Sequence, residues 1–224
     1  MKLIEHPDRE MMMMDVADRL AGDLRMALQG NDRVGFAVPG GTTPGPLFDT
    51  LSAVRLDWDR VTVLLGDERW VPETSDRSNA RLVRDRLLTG HAAVADFLGL
   101  YSEGLDPAAA LDAVGDRLRP LLPLSVLVLG MGADMHTASL FPGSAELKAA
   151  LASDAPPLMA VTAPGQPEPR VTLTGPVLRG AMTTHVVITG AEKRRALDRA
   201  RALDDPEQAP IALVLGQATV HWAE

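Results

Sequence analysis

The chain has 224 residues and a net charge of −8 with its histidines neutral. That length suits one large α/β domain with a sizeable core, and the acidic balance argues against nonspecific binding to nucleic acid or an anionic membrane. With no cysteine, disulfides, thiolate nucleophiles and cysteine-ligated metals are excluded; no apolar run is long enough to span a bilayer, and a cytoplasmic location is the expectation.

In chain order, Asp8 to Gln29 reads as a long helix stopped by Gly30-Asn31. The run Met11 to Met14 falls on it, with some of these side chains expected in the core. Arg33 to Val38 reads as a strand and Pro44 to Val54 as a helix with proline in its first turn. Val61 to Leu65 is a strand. Ser78 to Leu88 and Asp106 to Leu118 are helices capped by Ser78 and Asp106. Leu124 to Leu129 is a buried strand, and Leu158 to Thr162 a weaker one. The proline-dense Ala155 to Arg170 reads as a shaped loop. A short helix over Thr174 to Ala181, a strand His185 to Thr189 and a helix Ala191 to Leu203 follow. Pro210 to Leu215 is a short helix, and Ala218 to Trp222 a terminal strand. Strands alternating with helices predict a mainly parallel sheet covered on both faces, in a single domain over residues 1–224.

Three strand-like runs end in chemically capable residues. Leu124 to Leu129 empties into Gly130-Met131-Gly132-Ala133-Asp134-Met135-His136. In open α/β sheets, ligands bind at strand ends, so this segment delivers a carboxylate, Asp134, and a proton carrier, His136, to such an edge. Val34 to Val38 ends in Gly40-Gly41-Thr42-Thr43, where glycines admit a ligand close to the backbone and a helix start favours an anion; a plain tight turn with a threonine cap is the competing reading. Val61 to Leu65 ends in Asp67-Glu68-Arg69, either a phosphate or oxyanion clamp through Arg69 or a solvated charge cluster. Ser78-Asn79 either closes the same cleft or, as the favoured reading, caps a helix. Lys193 opposes the dipole of its helix start, which an anion nearby would explain, with a plain surface lysine as the competing reading, and Arg170 either turns into the same cleft or lies on the surface.

Several chemistries are poorly supported. The glycine spacing fails both the Walker A loop and the dinucleotide fingerprint. There is no His-Glu-x-x-His for zinc hydrolysis, and no Gly-x-Ser-x-Gly around Ser139. His6, His91, His185 and His221 show no partner pattern and read as structural or exposed.

Together, Gly40 to Pro44, Asp67 to Pro72 with Ser78-Asn79, Gly130 to Pro142, Arg170 to Thr174 and Gly190 to Lys193 resemble the 6-phosphogluconolactonases, in order and over nearly the whole chain. That family shares its larger group with glucosamine-6-phosphate deaminases and ribose-5-phosphate isomerases. The resemblance implies a Rossmann-like α/β fold without a nucleotide cofactor. It also implies hydrolysis of a phosphosugar lactone, 6-phospho-D-glucono-1,5-lactone, with no metal or organic cofactor. His136 and Asp134 would be catalytic; Gly40, Gly41, Thr42, Thr43, Asp67, Arg69, Arg170 and Lys193 would hold substrate and phosphate. The partner is thus a small phosphosugar lactone, with neither nucleic acid nor membrane, and the sequence does not fix the oligomeric state. Phe141 stands before Pro142 where the deaminases carry an acid, and Arg69 stands where they usually carry tyrosine. Another phosphosugar isomerase or deaminase on this fold, and a non-catalytic sugar-phosphate sensor, are the alternatives. Met135 replaces the glycine of the family's Asp-Gly-His, which predicts left-handed backbone at Met135 or a differently shaped loop.

Overall fold

The computed structural model describes residues 1–163 and 165–224. The chain opens with β1 (Lys2–Glu5), α1 (Arg9–Gly30), β2 (Val34–Val38), α2 (Gly45–Ser52) and β3 (Val61–Leu65). It continues through β4 (Asp67–Arg69), α3 (Asn79–Arg86), β5 (Asp96–Leu98), α4 (Pro107–Leu118) and β6 (Val126–Leu129). Then come α5 (Leu147–Leu151), β7 (Leu158–Thr162), β8 (Pro169–Leu173), α6 (Gly175–Arg179) and β9 (Thr183–Thr189). The last elements are α7 (Gly190–Leu203), α8 (Ala212–Leu215) and β10 (Thr219–Ala223).

Seven strands form one sheet in the order β1-β10-β9-β6-β2-β3-β5, and every neighbouring pair is parallel. The chain leaves β2 toward β3 and β5 on one side and later fills β6, β9 and β10 on the other. The switch point therefore lies between β2 and β6, whose carboxyl ends carry the Gly40 and Gly130 loops. β2, β3 and β6 are buried at every position, as expected for strands covered on both faces.

The caps predicted at Ser78 and Asp106 hold, and the structure adds one at Asp8. Asp8, Ser78 and Asp106 accept from the backbone N–H of Met11, Arg81 and Ala109. In α1 the buried positions Met13, Val16, Leu20, Leu24 and Leu28 recur at helical spacing. The methionine run straddles this boundary, with Met12 and Met13 in the core and Met11 and Met14 exposed.

The sequence reading missed a second sheet, the antiparallel β4-β8-β7. The proline-dense stretch is largely a β-hairpin, with Pro169 at the first position of β8, where a missing ladder donor costs least; Pro164 of that stretch lies outside the described residues. β1, β4 and β5 are three or four residues long, too short to show a period in sequence. The remaining histidines are structural or exposed as read, but the partners of three of them were not visible in sequence. His6, His185 and His221 are bonded to one another, with partners up to 215 residues apart in sequence; His91 is exposed. Among the described residues, no helix is long and apolar enough to cross a membrane.

Candidate active site

The loops at the switch point enclose a cavity of about 260 Å³. The Gly40 to Thr43 loop forms one wall, Gly130 to Gly132 and His136 another, and Asp67, Arg69, Arg170 and Lys193 meet them. All these sequence-predicted residues thus converge on one cleft except Asp134, which stands behind His136. Neither Thr42 nor Thr43 caps α2 through its side chain, so the helix-cap reading of that loop fails.

His136 Nδ1 lies 2.5 Å from Asp134 Oδ1, and the His136 backbone N–H donates to the same oxygen at 3.2 Å. The hydrogen bond from His136, outweighing partial burial, holds the Asp134 carboxyl below its ordinary value. An ionised carboxylate only accepts, so Nδ1 carries the proton and Nε2 is left as the basic nitrogen. Phe141 packs against the imidazole at 4.6 Å between ring centroids. The turn beneath is tight: Met135 N–H donates to Gly132 O, and Gly132 N–H to His136 O, both at 3.0 Å. Met135 takes the expected left-handed backbone, with φ of 70°. A Cβ on Gly132 would lie 2.2 Å from His136 Nδ1, so only glycine fits against the Asp134–His136 pair.

The second sheet supplies the cationic wall. In its register Arg69 lies directly opposite Arg170 and Asp67 opposite Thr172. Like charges paired across strands repel. Both arginines also have a buried Nε without a hydrogen-bond partner among the described residues. Burial first, with Arg69 adding to it, lowers the Arg170 value while Asp67 opposes that shift. Lys193, in the first turn of α7, is likewise lowered by burial, against the pull of Glu192. Two orphaned donors on opposed cations, with a desolvated lysine in the same cleft, form a pocket short of an anion.

Other residues hold these groups in place, and the sequence offered little sign of them. Ser139 Oγ donates to Asp67 Oδ2 at 2.6 Å, and Ser139 N–H to Thr172 Oγ1 at 3.2 Å. The histidine loop is thereby tied to β4 and β8, and Asp67 also faces Arg170 Nη1 at 3.7 Å. Glu68 is fully buried. Its carboxyl accepts from the backbone N–H of Arg69, Asn79 and Ala80, each at 2.8 Å. Burial pushes it up to about 7, with those N–H groups pulling the other way. Ser78 caps α3 as read, but Asn79 does more. Its side chain donates to Asp67 O at 2.9 Å and lines the cleft. A Cβ on Gly40 would lie 1.9 Å from Asn79 Oδ1, so Gly40 permits the close approach of loop and helix. Glu68 and Asn79 lie inside segments the sequence had already singled out, Asp67-Glu68-Arg69 and Ser78-Asn79, but their roles were not readable there.

The family described as glucosamine-6-phosphate isomerases/6-phosphogluconolactonase matches residues 7–222. A 6-phosphogluconolactonase of Pseudomonas aeruginosa is 41% identical over 210 residues, covering 92% of this chain and 88% of its own. One from Mesorhizobium japonicum is 43% identical over 225 residues, covering 97% and 93%. The crystal structure of a 6-phosphogluconolactonase from Shewanella baltica superposes with a TM-score of 0.95 at 33% identity, covering 100% of this chain and 97% of that one. With its switch-point cleft, this chain belongs to the glucosamine-6-phosphate isomerase/6-phosphogluconolactonase family.

Proposed function

We propose that the protein hydrolyses 6-phospho-D-glucono-1,5-lactone to 6-phospho-D-gluconate, with His136 as general base and then general acid. The observation that carries this reading is the Asp134–His136 pair, with Nε2 as the basic nitrogen, in a cleft that also gathers Arg69, Arg170 and Lys193. The relatives' shared name supports the lactone over other phosphosugars.

Nε2 of His136 takes a proton from water as the water oxygen bonds to the lactone carbonyl carbon. Asp134 stabilises the resulting imidazolium. The tetrahedral oxyanion is met by N–H donors of the glycine loops. On collapse the ring C–O bond breaks, and the imidazolium returns its proton to the departing ring oxygen, giving the open-chain acid. Arg69, Arg170 and Lys193 hold the 6-phosphate, with Gly40, Gly41, Thr42 and Thr43 closing over the substrate. Asp67 acts by holding Ser139 and Arg170. None of these steps calls on a metal or organic cofactor.

The test is lactone consumption above the spontaneous rate, run beside glucosamine 6-phosphate and ribose 5-phosphate. Enzyme-dependent hydrolysis of the lactone alone supports the proposal. Deamination or isomerisation without lactone hydrolysis refutes it, as does tight binding of the lactone without turnover.

A further inference from the structure

Three of the five histidines stand in a column beneath α1, away from the lactone cleft. His6 follows β1, His221 lies in β10 and His185 in β9, while Asp15 and Asp23 come from α1. His185 Nε2 is 2.8 Å from Asp23 Oδ2. His185 Nδ1 is 3.0 Å from His221 Nε2, and His221 Nδ1 is 3.2 Å from His6 Nε2.

The tautomers follow from the Asp23 end. A carboxylate accepts, so His185 Nε2 carries its proton and His185 Nδ1 is bare. His221 Nε2 therefore donates to His185, and His221 Nδ1 turns its lone pair toward His6 and Asp15. At the outer end, His6 Nδ1 and Asp15 Oδ2 are 4.0 Å apart, too far for a hydrogen bond. With His6 Nε2 turned to His221 Nδ1, His6 Nδ1 is the nitrogen left facing the Asp15 carboxylate.

We propose that His6, Asp15 and His221 bind a divalent transition metal of the zinc class, at a site separate from the lactone cleft. One ligating atom from each residue lies within 4.8 Å of those of the other two. Four-coordinate zinc, with bonds of ~2.0–2.1 Å, sets its ligand atoms about 3.3 Å apart. His6 and His221 already meet that spacing at 3.2 Å. The Asp15 ligand oxygen lies within 4.8 Å of the two imidazole nitrogens and must close toward the same ~3.3 Å spacing, a movement that its partly exposed side chain on α1 allows. Its present partner, Arg19, is 2.7 Å from Oδ2 and can keep the other oxygen. Two imidazoles and one carboxylate suit zinc, cobalt or nickel rather than calcium or magnesium. The rest of the column orients the ligands: the second nitrogen of His221 is held by His185, which is held in turn by Asp23. None of the three ligands lines the lactone cleft. An ion here would tie α1 and the chain after β1 to β10.

The test is calorimetric titration of the full chain with zinc chloride, repeated with cobalt chloride while reading visible absorption. Thermal melts with and without zinc run alongside, on wild type, Asp15→Asn, His6→Gln and His136→Asn. The expected result is one zinc per chain in wild type and in His136→Asn, with tetrahedral cobalt bands and a raised Tm. Asp15→Asn and His6→Gln should each weaken zinc by ~10–100-fold or more, the loss typical of even an outer-sphere partner. Asp15 is half-exposed, so Asp15→Asn keeps the test decisive should His6→Gln fail to fold. Absence of saturable zinc binding to wild type would overturn the proposal, and so would zinc binding lost in His136→Asn but kept in Asp15→Asn.

Discussion

At the scale of the residue, the proposed mechanism separates a group that moves protons from groups that hold charge. His136 has one ring nitrogen engaged by Asp134, leaving the other for water. Replacing His136 by Asn should lower kcat by ~10²–10⁴-fold, the usual worth of general acid–base assistance, while 6-phosphogluconate still binds. A variant with near wild-type kcat would remove His136 from the mechanism. Arg69 and Lys193 should behave differently. A charge-assisted hydrogen bond is worth about 1.5–3 kcal/mol, so Arg69→Ala and Lys193→Ala should each weaken 6-phosphogluconate roughly tenfold or more. Unphosphorylated gluconate should lose much less. Equal losses for the two ligands by calorimetry would assign these cations to the sugar or the fold instead of the phosphate.

At the scale of the element, the start of α3 is organised by a buried carboxyl in place of solvent. Glu68 joins β4 to α3 through the N–H groups of Asn79 and Ala80, and Asn79 in turn meets the Gly40 loop. The folded Glu68 value, about 7, exceeds the usual 4.5, so folding takes up a proton between those two pH values. The stability this contributes is fully present below the unfolded value and is lost as pH rises through about 7. Its full size is on the order of 3 kcal/mol. In urea unfolding, the stability of wild type relative to Glu68→Gln should therefore fall between pH 5 and pH 8.5. A constant difference across that range would show that Glu68 is already ionised at pH 5, with its N–H partners outweighing burial.

At the scale of the molecule, the cleft is built where two sheets meet. The large parallel sheet carries His136 and the glycine loops beyond β6 and β2, and the small antiparallel sheet carries Arg69 and Arg170. A phosphorylated ligand should therefore stabilise the whole chain by linking them. At a hundredfold excess over Kd, 6-phosphogluconate should add about 2.7 kcal/mol. That raises Tm by roughly 5–10 °C for a chain of this size. The rise should shrink with added salt, because screening weakens partly exposed charge contacts. A salt-independent rise would mean that the ligand is held without its phosphate charge.

Local rules in the sequence were enough to determine most of the helices, the caps at Ser78 and Asp106 and the central buried parallel strands, though not the five-residue α5. Ser78, Asp106 and Asp8 cap helices because a short polar side chain reaches its own N–H groups. Val61 to Leu65 reads as a strand because a short β-branched and apolar run flanked by polar residues marks a buried parallel strand. The turn at Met135 was legible as one of two outcomes, left-handed backbone or a differently shaped loop, and its φ of 70° decides for the first. Tertiary structure alone decided the rest, because those partners lie far apart in sequence and leave no period or spacing to read. Arg69 faces Arg170 only once β4 and β8 pair, and Ser139 finds Asp67 across 72 residues. His6 meets His221 only because the parallel order sets β1 beside β10, so the first and last strands of the chain share one edge of the sheet.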